Sequence, residues 1–254
     1  MSLLGLDGYT GAALIFLAGT AFVAGLARGF SGFGAALIFM PIASTLIGPK
    51  LAAPLLLVID MVLGLGLLPK AWPKSNKRDV GLISLGALVG VPLGAAMLVR
   101  LDPIVIRWML AVIVLPLIVL LMSGWLYHGK PAAPLTVGTG AIAGFLSGIA
   151  QVGGPPVVLY WLGGRANADL MRANIIGYFA ISSCISLVSY LVGGLLTSAL
   201  IGLSLVTGPV YALGLYLGSH MFGFASEATF RRICYALILI SVVIGLPLLD
   251  GVVR

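Results

Sequence analysis

One arginine stands inside an apolar, glycine-rich run, GLARGFSGFGAALIFMP, from Gly25 to Pro41. The planar fork of Arg28 matches a sulfonate or carboxylate. A second run, GFLSGIAQVGGPPVVLYW from Gly144 to Trp161, repeats the arrangement, with Gly25 and Gly144, Gly29 and Gly148, and Gly34 and Gly153 each 119 residues apart. Ser147 occupies the place of Arg28 in the second run, so only one copy supplies a cation. Ser31, Ser147 and Gln151 carry donors suited to substrate oxygens. Gly29, Gly32, Gly34, Gly148, Gly153 and Gly154 let backbone approach a ligand closely, and Pro155 fits the first turn of a helix, where a missing N–H costs nothing. Each assignment has a structural alternative. Arg28 can snorkel to an interface, the hydroxyls and the amide can satisfy local backbone, and the glycines can serve close helix packing.

Asp60 is the acidic residue set deep in an apolar run, LLLVIDMVLGL. A carboxylate is expensive there, so it is paired with a cation such as Arg28, protonated, or used to carry a proton. His128 reads as a solvated link residue and His220 as a packing histidine or a proton relay. Cys184 and Cys234 lie in apolar segments and read as small buried hydrophobes. Trp72, Trp108 and Trp125 fall near segment ends, as interfacial residues do, while Tyr160 and Trp161 can belong to either an interface or a pocket. These groups form no recognisable nucleophile, base or metal set, which sets an enzyme last among the functional classes. No cofactor is expected.

The elements that must position these groups follow from composition. With 61% apolar residues, 8% charged residues and a mean hydropathy of +1.19, the 254-residue chain reads as an all-α polytopic membrane protein. Its net charge of +7 lies mostly in short links between apolar runs, as topological signals do, which argues against nucleic acid as a partner. Residues 1 to 9 lack the basic n-region of a cleaved leader, so the first helix is expected to belong to the mature fold.

A crossing needs about 20 apolar residues, and shorter runs make half-spanning pieces. On that rule the first half divides into Thr10 to Ala27, a short Phe33 to Ile47, Leu51 to Leu68, Val80 to Val99 and Ile104 to Trp125. The second half mirrors it with Leu135 to Ala150, a short Pro155 to Gly164, Ile175 to Leu196, Thr197 to Phe224 and Ile233 to Leu249. The final helices correspond too, LDPIVIRWMLAVIVL with ASEATFRRICYALIL, placing Arg107 over Arg231. This gives about eight to ten membrane segments in one integral membrane domain, with residues 1–130 as repeat one and 131–254 as repeat two.

If each glycine-broken pair enters and leaves on one side, the repeats are inverted. Nine cations (Lys70, Lys74, Lys77, Arg78, Lys130, Arg165, Arg172, Arg231 and Arg232) then share one face, against Lys50, Arg100, Arg107 and Arg254 on the other. If each pair crosses once, the split is six to seven and orients nothing. The positive-inside rule therefore favours inverted repeats with both termini outside the cytoplasm. Paired breaks in a repeated chain point to a transporter's central site, and half-helices starting within the membrane aim positive dipole ends and unpaired N–H groups at an anion.

GFSGFGAALIFMP, GFLSGIAQVGGPP, the basic link that follows and the segment layout resemble the sulfite exporter TauE/SafE family over nearly the whole chain. The chain departs from the fuller glycine run of that family at Ala35, Ala36, Pro155 and Pro156. The resemblance implies export or uptake of sulfite, sulfonates or related small organic anions across a bacterial inner membrane, without ATP. The expected function is a secondary transporter working by alternating access, with an uncoupled channel or membrane subunit as the next class. The expected partners are the small anion and the lipid bilayer, and a homo-oligomer stays open.

Overall fold

The computed structural model describes residues 9–123, 132–162, 168–220 and 227–249. The links carrying His128, Lys130 and Arg165, and with them Trp125, Tyr127 and Arg254, lie outside the described residues. The described residues form helices and turns without strands. The helices are α1 (Gly11–Ser31), α2 (Ala35–Ile47), α3 (Pro49–Leu65), α4 (Leu68–Ala71), α5 (Lys77–Arg100), α6 (Pro103–Met122), α7 (Ala133–Ala150), α8 (Gly154–Leu162), α9 (Ala168–Val192), α10 (Ser198–His220) and α11 (Glu227–Gly245). Within the described residues, each of the ten apolar segments of the sequence contains a helix. Among the described residues, α1, α5, α6, α7, α9 and α10 are long and apolar enough to cross a membrane. A seventh is α3 taken together with α4 and the 3-10 turn Trp72–Lys74, bent by 52°. The protein is a multi-pass membrane protein.

Local chemistry sets the helix ends. Thr10 caps α1 by accepting from the Ala13 amide. Asn76 caps α5, its Oδ1 accepting from Arg78 and Asp79 while its Nδ2 donates to the Asp79 carboxylate. Asp102 caps α6 by accepting from Ile104 at 2.8 Å, with Pro103 in the first turn.

Two compact units are present, and each draws helices from both halves of the chain. The first comprises residues up to Ile59, Leu101–Met122 and residues from Leu195 onward; the second comprises Asp60–Arg100 and Ser123–Gly194. In the first unit α1 packs along α10, and α11 packs against α2 and α6. In the second, α5 packs along α7 and against α9, with α8 on α7 and α9. The dominant pair of each unit thus joins the first helix of one half to the fourth apolar segment of the other.

Glycines make both pairs possible. A Cβ at Gly25 or Gly29 of α1 would collide with the Tyr211 or Leu215 carbonyl of α10, and one at Gly214 or Gly218 with the Phe22 or Leu26 carbonyl of α1. In the second unit Gly86, Gly90 and Gly94 of α5 meet the Val137, Ala141 and Phe145 carbonyls, and Gly140, Gly144 and Gly148 of α7 return the contact against Ile83, Ala87 and Val91. Lipid tails are as apolar as leucine, so helices associate through backbone-close packing of small residues rather than through hydrophobic burial. Gly90→Ala should therefore destabilise the protein by about 1–3 kcal/mol, the cost of overpacking. Gly138→Ala, on the same pair but with open space around it, should be neutral or stabilising by up to about 1 kcal/mol. Detergent thermal melts of the two variants check this, and equal losses would remove the packing argument.

Candidate functional site

The two glycine-rich runs are two helix breaks of one design. Helix α1 ends at Ser31 and α7 at Ala150; α2 starts at Ala35 and α8 at Gly154, each pair 119 residues apart. The residue after each first helix is left-handed, Gly32 at φ 76° and Gln151 at φ 58°. Gly34, at φ 99°, caps α2 and completes a reversal that an L side chain would resist.

At the first break the Gly32 amide closes on the Arg28 carbonyl at 2.8 Å, and the Arg28 guanidinium donates to the Gly32 carbonyl one turn on. Arg28 is half-buried. Its charge complements the negative end of α1. Gly29 is required by packing on α10, as shown above, and Ser31 is the last residue of α1.

At the second break Gln151 is the positive-φ residue other than glycine among the described residues. Such a residue costs on the order of 1–3 kcal/mol unless its surroundings hold it. They do: its amide donates to the Ser147 carbonyl at 3.0 Å and to the Tyr190 hydroxyl at 3.1 Å, and Tyr190 donates to the Gly148 carbonyl at 2.8 Å. Both Gln151 amide hydrogens thus serve the end of α7. A Cβ at Gly153 would collide with the Ser147 hydroxyl and the Ala143 carbonyl, so Gly153 lets the chain fold back onto α7. Helix α8 then starts at Gly154 with Pro155 and Pro156 in its first turn.

Helix α9 adds a feature the sequence reading missed. Asn174, Tyr178, Ser182, Ser186 and Tyr190 recur every fourth residue, and all are buried. The other fully buried positions of α9 are Ala173 and Gly177, while Met171, Ile175, Phe179 and Ile185 pack, partly buried, against the core beside the ridge. The ridge spans 17 residues, about 24 Å from end to end at 1.5 Å per step. Asn174 accepts from the Asn76 amide at 2.7 Å, and Tyr190 holds the break. The Tyr178 and Ser186 hydroxyls have no hydrogen-bond partner. Polar positions spaced by four, inside a span whose outer face is Val188, Leu191 and Val192, were the available signal. Tyr160 and Trp161 lie in the core of this unit with Tyr178, Ile83, Ala87, Val91 and Val157, rather than at an interface.

Arg107 was also misread. It is no link charge but lies in the second turn of α6 at 4% exposure, its Nε and Nη2 donating to the Gly245 carbonyl at 3.2 and 3.1 Å. A buried cation on the carbonyl end of α11 ties those helices together beside Pro41. Asp60 is half-buried in α3, at the point where the division between the two units falls. His220 is exposed at the end of α10, bonded to the Tyr216 carbonyl at 2.8 Å.

The family model of the sulfite exporter TauE/SafE matches residues 17–244. The chain belongs to the sulfite exporter TauE/SafE family. No curated protein and no solved structure was found to match it. The matched residues include both breaks, the α9 ridge and, apart from the first turns of α1, the six long apolar helices.

Gln151→Ala should lower stability by about 1–3 kcal/mol, two lost hydrogen bonds. Gln151→Gly should recover about 1 kcal/mol of that by removing the left-handed strain. Chemical or thermal denaturation of the purified variants gives the order, and an Ala variant as stable as the Gly variant would show that the backbone geometry is not the constraint.

Proposed function

We propose that the protein is a secondary transporter that moves sulfite, sulfonates or related small sulfur-containing anions outward across a bacterial inner membrane by alternating access. The observation that carries this reading is the pair of matched helix breaks, each with polar or cationic groups in the same register and a short helix beginning just beyond it. Arg28 supplies a bidentate cation at one break. Ser147 and the amides that open α8 supply neutral donors at the other. A half-helix start favours negative charge by its dipole and its unsatisfied N–H groups.

Inverted repeats, comprising residues 1–130 and 131–254, are the layout alternating access calls for. The Asn76–Asn174 hydrogen bond supports it, because it puts Arg172 beside the Lys70–Arg78 link, and the inverted arrangement requires those cations on one face. That face is the cytoplasmic one by the positive-inside rule.

Arg28→Ala should weaken sulfite binding by about 1.5–3 kcal/mol, the range for hydrogen bonds to charged groups, and Arg28→Lys should recover part of it. Isotherms for wild type and both variants measure this; three equal affinities would remove Arg28 from the site. Asp60, an acid within an apolar helix, is proposed as the proton-coupling group. Asp60→Asn should abolish gradient-driven accumulation in proteoliposomes while sulfite binding persists, and normal accumulation would leave Asp60 structural.

A further inference from the structure

The break before α8 is poorer in backbone donors than its counterpart. A helix start normally offers its first amides to a ligand, but Pro155 and Pro156 carry none, which leaves Gly153 and Gly154. Two hydroxyls lie near this helix start, one directly and one through the other. Ser147, 4% exposed, lies hard against Gly153. The hydroxyl of Tyr178, a residue with no solvent exposure, is drawn toward the Ser147 side chain but stops short of hydrogen-bond geometry with it. The Tyr178 ring is fixed edge-on to Trp161 of α8, 6.5 Å between centroids and 80° between planes.

A buried hydroxyl without a well-formed hydrogen bond is destabilising, and phenylalanine would fill the same space without that cost. Of the other ridge members, Tyr190 holds Gly148 and Ser182 donates to the Phe179 carbonyl at 3.3 Å, while the Ser186 hydroxyl, two turns further along α9, is also unpartnered. Tyr178 alone combines a rigid ring, an unsatisfied hydroxyl and a position beside a half-helix start.

We propose that Tyr178 and Ser147, with the Gly153 and Gly154 amides, form an oxoanion-binding subsite within the second unit, where neutral hydroxyl and amide donors grip the oxygens of a sulfite or sulfonate group. The proposal rests on the anion-transport reading above and adds to it a substrate-contacting residue on α9. A neutral donor set suits transport, since it stabilises an anion that has left water without the full attraction of a fixed cation. The substrate must be a strong acceptor with several oxygens, which sulfite and sulfonates are and a halide is not.

The test uses purified full-length protein with sulfite, methanesulfonate and chloride as probes. Tyr178→Phe should melt at or above the wild-type temperature without anion, because the hydroxyl it deletes bonds to nothing, and should bind sulfite and methanesulfonate about tenfold to a hundredfold more weakly. Ser147→Ala should weaken the same probes, and chloride binding should differ little among the proteins. Wild-type sulfite affinity in Tyr178→Phe would overturn the subsite, as would a lower melting temperature, which would mean that the hydroxyl is engaged in the fold. A wild-type protein that binds neither oxoanion would sink the transport reading itself, whereas one that loses sulfite on Arg28→Ala but not on Tyr178→Phe would sink the subsite alone.

Discussion

A helix broken inside a bilayer leaves amides and carbonyls that lipid cannot satisfy, and each orphan costs several kcal/mol unless protein or enclosed water meets it. That constraint governs both breaks. At the first, Gly32 turns left-handed, its amide returns to the Arg28 carbonyl, and the Arg28 side chain closes over Gly32. At the second, Gln151 takes the same turn at a conformational cost, and its own amide group together with Tyr190 covers the Ser147 and Gly148 carbonyls. One position needed only freedom; the other exchanged freedom for side-chain donors. The backbone outcome is the same.

Such breaks also need rigid supports, since a loose helix end would admit lipid and water alike. Each first helix is therefore laid along the fourth apolar segment of the opposite half, with carbonyls seated where side chains would be. The glycines of the runs divide by this demand. Gly25, Gly29, Gly144 and Gly148 lie in the helices and are consumed by packing. Gly32 and Gly34 lie in the break and are consumed by conformation. Gly153 serves contact with Ser147 and Ala143.

Much of this was legible in the chain because the information is local. The 119-residue offset between glycines predicted matched breaks, and the helix ends at Ser31 and Ala150 carry that offset through. Apolar run length placed all ten segments. The partnership of α1 with α10 was not legible, since glycine spacing declares a close neighbour without naming it. Arg107 was misplaced because Pro103 starts α6 and carries the arginine into its second turn, where the Gly245 carbonyl, 138 residues away, accepts from it. The α9 ridge escaped because mean hydropathy averages over the faces of a helix. Five polar residues at intervals of four barely lower the mean of a long apolar span, yet they occupy almost its whole buried face.

The substitution of Ser147 for Arg28 follows from the same packing. Arg28 ends a helix that leaves its side chain half-exposed, with room for a guanidinium to bend back over Gly32. Position 147 is enclosed by Gly153, and its neighbour Gly148 is pressed against Val91 of α5. An arginine there would have to be desolvated in a space that excludes even a Cβ on Gly153, and without an acidic partner that burial would cost several kcal/mol. A hydroxyl fits, and a tyrosine from α9 adds a second. The two matched breaks thus share one backbone solution while burial sets their side chains apart, a cation where there is room for one and hydroxyls where there is not.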